Sequence, residues 1–218
     1  MILDGLPYSV EIGGVEYEIN TGFRTSMLFE MMMEDGGLPQ TEIVTNAMQL
    51  YFPKMPTIRD ADSISEVMDK VIWFYSCGSP PKKKKKRRAK QGEGDDPEDE
   101  EDELETRNAD KRIYSFEYDA PFIYAAFLEQ YGVDLVEIED LHWWKFKAMF
   151  RSLNEKVQFS KIMSYRATDI TAKMSAEQKS FYRRMQKVYA LPLPKDEEER
   201  QDAIIDALLS GKDVSHLL

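Results

Sequence analysis

The sequence predicts a mainly α protein: a short N-terminal β-hairpin followed by helices over residues 1–78, a disordered, charge-segregated linker over 79–112, and an all-α C-terminal helical domain over 113–218. Three observations carry this reading. Apolar and polar residues alternate on both sides of Gly13-Gly14, which is the period of a half-buried strand. Helical periodicity takes over from Phe23 and is broken at glycines and prolines. Between Ser79 and Arg112 the only large apolar side chain is Leu104, too little to offset the entropy of ordering the chain.

Tyr8, Val10 and Ile12, then Val15, Tyr17 and Ile19, flank a glycine pair that can take the positive φ of a tight turn. Asn20 or Thr21 is placed to cap a first helix carrying Phe23, Met27, Leu28, Phe29 and Met31, stopped by Gly36-Gly37. A second helix is expected from about Thr41 to Tyr51, before Pro53 and Pro56, and a third from about Ser63 to Cys77, before Gly78 and Pro80. A lone hairpin is marginal, so these helices are expected to cover it.

In the second half, Asp119-Ala120-Pro121 opens a helix through Phe122, Ile123, Ala126, Phe127 and Tyr131, closed by Gly132. The next is expected near Asp140, with Leu141, Trp144 and Ala148 on one face and Trp143, Phe146, Phe150 and Leu153 on its neighbour. A stripe that wide belongs to a central helix. A shorter helix follows through Val157, Ile162 and Tyr165, and Ser175 to Gln178 forms a capping-box pattern ahead of Phe181, Met185, Val188 and Tyr189, with Arg183, Arg184 and Lys187 on the solvent side. A final helix is expected from Asp196, carrying Ile204, Ala207 and Leu208.

At 218 residues the chain can bury a real core. Its net charge of -11 argues against non-specific binding to nucleic acid or anionic membranes. Residues 1–78 carry 4 basic and 12 acidic side chains and residues 113–218 carry 14 and 17, so neither half offers a basic field. The single cysteine, Cys77, sits in an apolar context that favours an inert packed thiol, ordinary in a reducing cytosol. The N-terminus lacks the basic and apolar regions of a secretory signal, and no apolar run is long enough to span a bilayer.

Chemistry-bearing patterns are sparse, and the sequence predicts a protein that is not an enzyme, with no catalytic residues, cofactor or metal. His142 lies beside Asp140, but on a helix the two point about 200° apart, and no second histidine or cysteine is near; a buried or capping role is favoured. His216 is assigned no role. Glu137, Glu139 and Asp140 read as a solvated turn rather than a catalytic carboxylate pair. Neither glycine pair has phosphate-loop spacing. The run Lys82, Lys83, Lys84, Lys85, Lys86, Arg87 and Arg88 has no interleaved aromatics, so any nucleic-acid contact would be phosphate-only and salt-sensitive; it reads as part of a solvated linker. The cluster Met31-Met32-Met33 suggests either an adaptable apolar surface or core, and core is favoured.

Thirteen of the 25 aromatic residues fall between Ile113 and Arg166. Either the core there is unusually tight or part of it awaits a partner, since each ring buries roughly 150–250 Å². Trp143, Trp144, Phe146, Phe150, Tyr124 and Phe127, with Met31 and Met32, are therefore the candidate client-binding or core positions.

The block YSFEYDAPFIYAAFLEQYGVDL, followed by LHWWKFKAMFRSL, KIMSYR and QKSFYRRMQKVYALP, resembles the tail assembly chaperone family of long-tailed phages and prophages of Gram-positive bacteria. The likeness is strongest over Ile113 to Pro192 and weaker over the first half. The resemblance implies a non-enzymatic protein of the bacterial host's cytoplasm, absent from the mature virion. It would bind the tape measure protein, keep it soluble and pass it to tail tube protein polymerising around it. Self-association is a further partner class; nucleic acid and membrane are not expected partners. The alternatives are a structural tail or connector protein retained in the virion, and a nucleic-acid-binding regulator using Lys82 to Arg88.

Overall fold

The computed structural model describes residues 5–79 and 111–193, with Ala203 as one further position. Among these residues it contains one two-stranded antiparallel sheet and seven α-helices. The expected linker, apart from its outermost residues, and the expected final helix lie outside the described residues. The mainly helical fold with a short N-terminal hairpin is as the sequence predicts.

Strands β1 (Ser9–Ile12) and β2 (Val15–Glu18) pair Val10 with Tyr17 and Ile12 with Val15. Gly13 and Gly14 both take positive φ, 56° and 76°, the conformation that lets a two-residue turn follow the strand twist. Val10 and Ile12 are buried and Glu11 is exposed. The turn is tied to helix α3 (Ala61–Tyr75) because the Gly13 N–H donates to Glu66 Oε1 at 3.0 Å.

Helices α1 (Phe23–Glu34), α2 (Gln40–Tyr51) and α3 complete this segment. Asp60 caps α3, accepting from the Ser63 N–H at 2.8 Å, and its carboxyl is held below the usual range by the Ser63 hydroxyl and amide. The buried positions of α2 are Ala47, Met48 and Tyr51, and those of α3 are Val67, Val71 and Phe74, the i, i+3, i+4, i+7 spacing of a helix packed on one side. On α1 the fully buried face is Phe23, Ser26, Phe29 and Glu30, and the methionines flank it. Met27, Met31 and Met32 are half-buried and Met33 is exposed. Ser26 takes an inner position because the buried Tyr51 hydroxyl donates to its Oγ at 2.9 Å. Burial pushes the Tyr51 phenol upward.

Beyond residue 111 come α4 (Ala120–Tyr131), α5 (Trp143–Arg151), α6 (Gln158–Ala167) and α7 (Ala176–Val188). Gly132 ends α4 in the left-handed region at φ 64°, the usual glycine stop. Ser175 and Gln178 form a reciprocal capping box at the start of α7.

The described residues form two compact units. The first takes in 5–79, 139–149 and 192–193, and the second 111–138 and 150–191. The boundary expected from sequence places everything from 113 onward in one C-terminal domain, and the two units differ from it at residues 139–149. Residues 139–149 belong with the N-terminal segment for a backbone reason: Gly22 and His142 form an antiparallel bridge, the Phe23 N–H donates to Leu141 O at 2.9 Å and the Trp143 N–H to Thr21 O at 2.7 Å.

The described parts of the two units differ in charge. The described part of the first unit has 6 basic and 13 acidic side chains, net -7. That of the second has 11 and 8, net +3. Residues 139–149 are themselves neutral, with Glu139 and Asp140 against Lys145 and Lys147; the difference from the net -3 of residues 113–218 comes from the acidic stretch 194–218, which apart from Ala203 lies outside the described residues, and from Lys111 and Arg112.

Candidate functional site

In the first unit, the segment His142-Trp143-Trp144 is a hub that closes two helix ends at once. The last turn of α3 leaves carbonyls without helical partners. The Trp143 indole N–H donates to Tyr75 O at 2.7 Å and the Trp144 indole N–H to Phe74 O at 2.8 Å. Beyond them the chain turns through Cys77 at φ 57° and Gly78 at φ 79°, with the Gly78 N–H returning to Trp73 O at 2.9 Å. Gly78 also lies so close to Trp144 that an added Cβ would stand 3.2 Å from the ring.

His142 caps α5. Its Nδ1 accepts from the Trp144 N–H at 3.0 Å, and its Nε2 lies 2.9 Å from Pro7 O. An amide can only donate and a carbonyl only accept, so the proton sits on Nε2 and the ring is neutral. Burial pulls its pKa below the ordinary histidine value, with the Pro7 carbonyl opposing. Phe74 and Tyr8 meet the ring edge-on at 5.6 and 5.3 Å. Both nitrogens are therefore used in holding the fold, which matches the buried or capping reading.

Around Trp143 the stacking continues. Tyr75 and Phe146 lie nearly parallel to it, each with centroids 5.6 Å away, and Lys147 Nζ sits 4.9 Å from its ring centre. Lys147 also pairs with Glu30 at 3.4 Å, and the Tyr75 hydroxyl donates to the same Glu30 carboxylate. Cation, carboxylate and two rings thus satisfy one another in a mostly buried place, where each alone would be costly. The burial of Glu30 was not legible in the sequence; its partner Lys147 is 117 residues away.

In the second unit the corresponding anchor is Arg166 on α6. Its guanidinium makes a bidentate pair with Asp119, at 2.6 and 2.9 Å, and donates to Ile113 O at 3.1 Å and Tyr189 O at 2.6 Å. Asp119 stands at the N-cap position of α4 but makes no side-chain cap bond. Its carboxylate accepts from Arg166 and from the Ser115 N–H instead. Fork geometry of this kind fixes orientation as well as energy.

The candidate positions divide accordingly. Trp143, Trp144 and Phe146 are core of the first unit, and Phe127 and Phe150 core of the second. Tyr124 is half-buried, its hydroxyl donating to Asp134 at 3.0 Å. Met31 and Met32 are half-buried on α1. The run Lys82 to Arg88, and His216, lie outside the described residues. Glu137, Glu139 and Asp140 are solvent-exposed. The surface apolar positions are others: Leu28, Met33, Ile72 and Trp73 in the first unit, Leu128, Val136, Phe181 and Val188 in the second. A groove of about 400 Å³ beside Trp73 is lined by Ser9, Val10, Glu11, Asp69 and Lys70. Among the described residues no His, Cys, Asp or Glu cluster could hold a metal, and no helix is long and apolar enough to cross a membrane.

Fold and site together define a mainly helical protein whose aromatic residues serve as internal fasteners. A family model described as Bacteriophage Gp15 protein matches residues 2–191. The chain belongs to this bacteriophage family. No curated protein and no solved structure matches it.

Proposed function

We propose that this protein is a non-enzymatic phage tail assembly chaperone that binds the tape measure protein, keeps it soluble and promotes tail tube assembly around it. The observation that carries the reading is membership of a bacteriophage family over residues 2–191. Two features support it. The histidine among the described residues, His142, is committed to capping. Apolar side chains stand in solvent on the first unit, among them Leu28, 51% exposed, and Trp73 beside its groove, and could meet an apolar client.

Because Trp143, Trp144 and Phe146 are spent on the core, client contacts in the first unit fall to Leu28, Met32 and Trp73. An amphipathic client helix laid on such a surface is the recognition mode that fits. The test is co-expression with the largest protein encoded next to this chain's gene, followed by pull-down and a solubility assay. The client is expected to become soluble and co-purify, and Leu28→Glu with Trp73→Ala to abolish this while the fold survives. A client that stays insoluble, with this chain instead present in purified particles, overturns the reading in favour of a structural tail protein.

A further inference from the structure

We infer that the free edge of β1 is a docking site for an extended segment of a partner protein in which basic and apolar residues alternate. This goes beyond the proposed function and holds whichever protein supplies the segment. In the hairpin the Ile19 N–H donates to Tyr8 O, and Val10 faces Tyr17 in the register. The backbone groups of Tyr8, Val10 and Ile12 therefore point at β2, and those of Ser9, Glu11 and Gly13 point the other way. At both ends of this outward row a side chain has taken the free group. The Gly13 N–H donates to Glu66 Oε1 at 3.0 Å, and Pro7 O, two residues before Ser9, lies 2.9 Å from His142 Nε2. Between them the N–H and C=O of Ser9 and Glu11 have no partner among the described residues. They stand about 7 Å apart along the strand and match an extended backbone running alongside; a helix spends its own N–H and C=O groups internally.

Beside this edge there is room for such a backbone. Glu66, Asp69, Lys70 and Trp73 follow i, i+3, i+4, i+7 on α3 and share one helix face. The last three line the groove of about 400 Å³ together with Ser9, Val10 and Glu11, so the groove is a trough between a strand edge and a helix. Side chains fix the chemistry of the occupant. In a segment laid antiparallel, the residue opposite Glu11 turns its side chain to the face that carries Glu11, Glu16 and Glu18. Glu11 stands directly across from Glu16, neither strand carries a base, and neither carboxylate makes an ion pair among the described residues. A lysine or arginine there relieves a like-charge pair that an acid would worsen. The next residue turns to the face of the buried Val10, on the side of α3, where Trp73 meets Trp144 edge-on at 5.6 Å and still leaves 37% of its surface in solvent. An apolar side chain fits there. Lys70 is outnumbered in the trough by Glu11 and Asp69, in a unit whose described part is net -7. The same charges argue against a second copy of β1, which would bring its own Glu11 and Glu16 to this face.

The experiment uses the full chain and a labelled octapeptide alternating Lys and Val, blocked at both ends, read by fluorescence anisotropy at low salt. Binding is expected, with none for the Glu-Val counterpart. In the antiparallel register the Lys amides face β1 and the Val amides face away. N-methylation of the Lys amides is therefore expected to abolish binding, and N-methylation of the Val amides to leave it intact. On the protein, Glu11→Gln is expected to weaken binding about fivefold, and Glu11→Lys to turn the preference to the Glu-Val peptide. Ser9→Pro removes an edge donor that the hairpin does not use and is expected to abolish binding, while Ser9→Ala keeps it; an unchanged thermal midpoint shows that the fold survives. The methylated peptides decide the matter on the native chain even if Ser9→Pro unfolds. Equal binding of the Lys-Val and Glu-Val peptides overturns the inference, and so does a Lys-methylated peptide that binds as well as its parent, since charge alone then suffices. A dimer in sedimentation that Ser9→Pro dissolves overturns it too, the occupant being then a second copy. Tighter peptide binding once Lys82 to Arg88 are replaced by Ser has the same effect, because the chain's own basic run is then the occupant. Peptide binding without client solubilisation sinks the chaperone reading alone. Client solubilisation without peptide binding sinks this inference alone.

Discussion

His142 holds its cap only while neutral, and that gives the fold a pH dependence whose sign is fixed. Burial lowers its folded-state pKa from the ordinary value of 6.5, so as pH falls through about 6.5 the unfolded chain takes up a proton that the folded chain resists. Stability contributed by the neutral ring is therefore full above that pH and declines below it, levelling once the folded-state pKa is passed. Urea midpoints measured from pH 8 down to 5.5 are expected to fall more for the native chain than for His142→Asn, which keeps a capping oxygen but has nothing to titrate. His142→Ala is expected to cost about 0.5–2 kcal/mol for the cap alone. The tryptophans separate similarly. Trp143→Phe leaves Tyr75 O without its indole donor, whereas after Trp144→Phe the Phe74 carbonyl keeps the Cys77 N–H at 3.1 Å. A buried acceptor left poorly satisfied costs about 1–3 kcal/mol, and the Tyr75 carbonyl would keep only the weak Cys77 thiol donor at 3.9 Å, so Trp143→Phe is expected to be the more damaging in a denaturant titration. A buried or capping histidine was readable from its neighbours in sequence. Its particular partners were not, because Pro7 is 135 residues away.

Elements were the most legible level. The Gly13-Gly14 turn, the Ser175 capping box and the Gly132 stop are local chemistry, and each stands where the sequence puts it. Misread were the faces. On α1 the run of methionines masked an inner face that includes Ser26 and Glu30, polar residues tolerable there only because Tyr51, Tyr75 and Lys147 reach them. On α4, Asp119 looked like a cap because nothing local announces Arg166. That pair yields the element-scale prediction: Arg166→Met strands a buried carboxylate and is expected to cost about 3–5 kcal/mol, read by thermal unfolding, while adding Asp119→Leu recovers part of the loss. The α3 terminus gives another. Gly78→Ala puts a side chain at φ 79° and 3.2 Å from Trp144, and is expected to destabilise by about 1 kcal/mol or more.

Across the whole molecule, the three tryptophans make burial and binding measurable together. Trp143 and Trp144 are buried and Trp73 is 37% exposed, so acrylamide is expected to quench only a fraction of the native emission, and Trp73→Phe to remove that fraction. If the client covers the groove, the same fraction becomes protected on binding. The passage of residues 139–149 to the first unit was hidden from sequence, because it is made through contacts of very long sequence separation. That crossing has a consequence in time. Tyr75 and Phe74 wait for donors that emerge from the ribosome about 70 residues later, roughly 4–14 s at ordinary rates of synthesis. During that interval residues 5–79 on the nascent chain lack the side chains that close the end of α3. Lengthening the stretch between Gly78 and His142 would prolong that interval without altering a single native contact, so its length acts as a clock on when the first unit becomes a finished body.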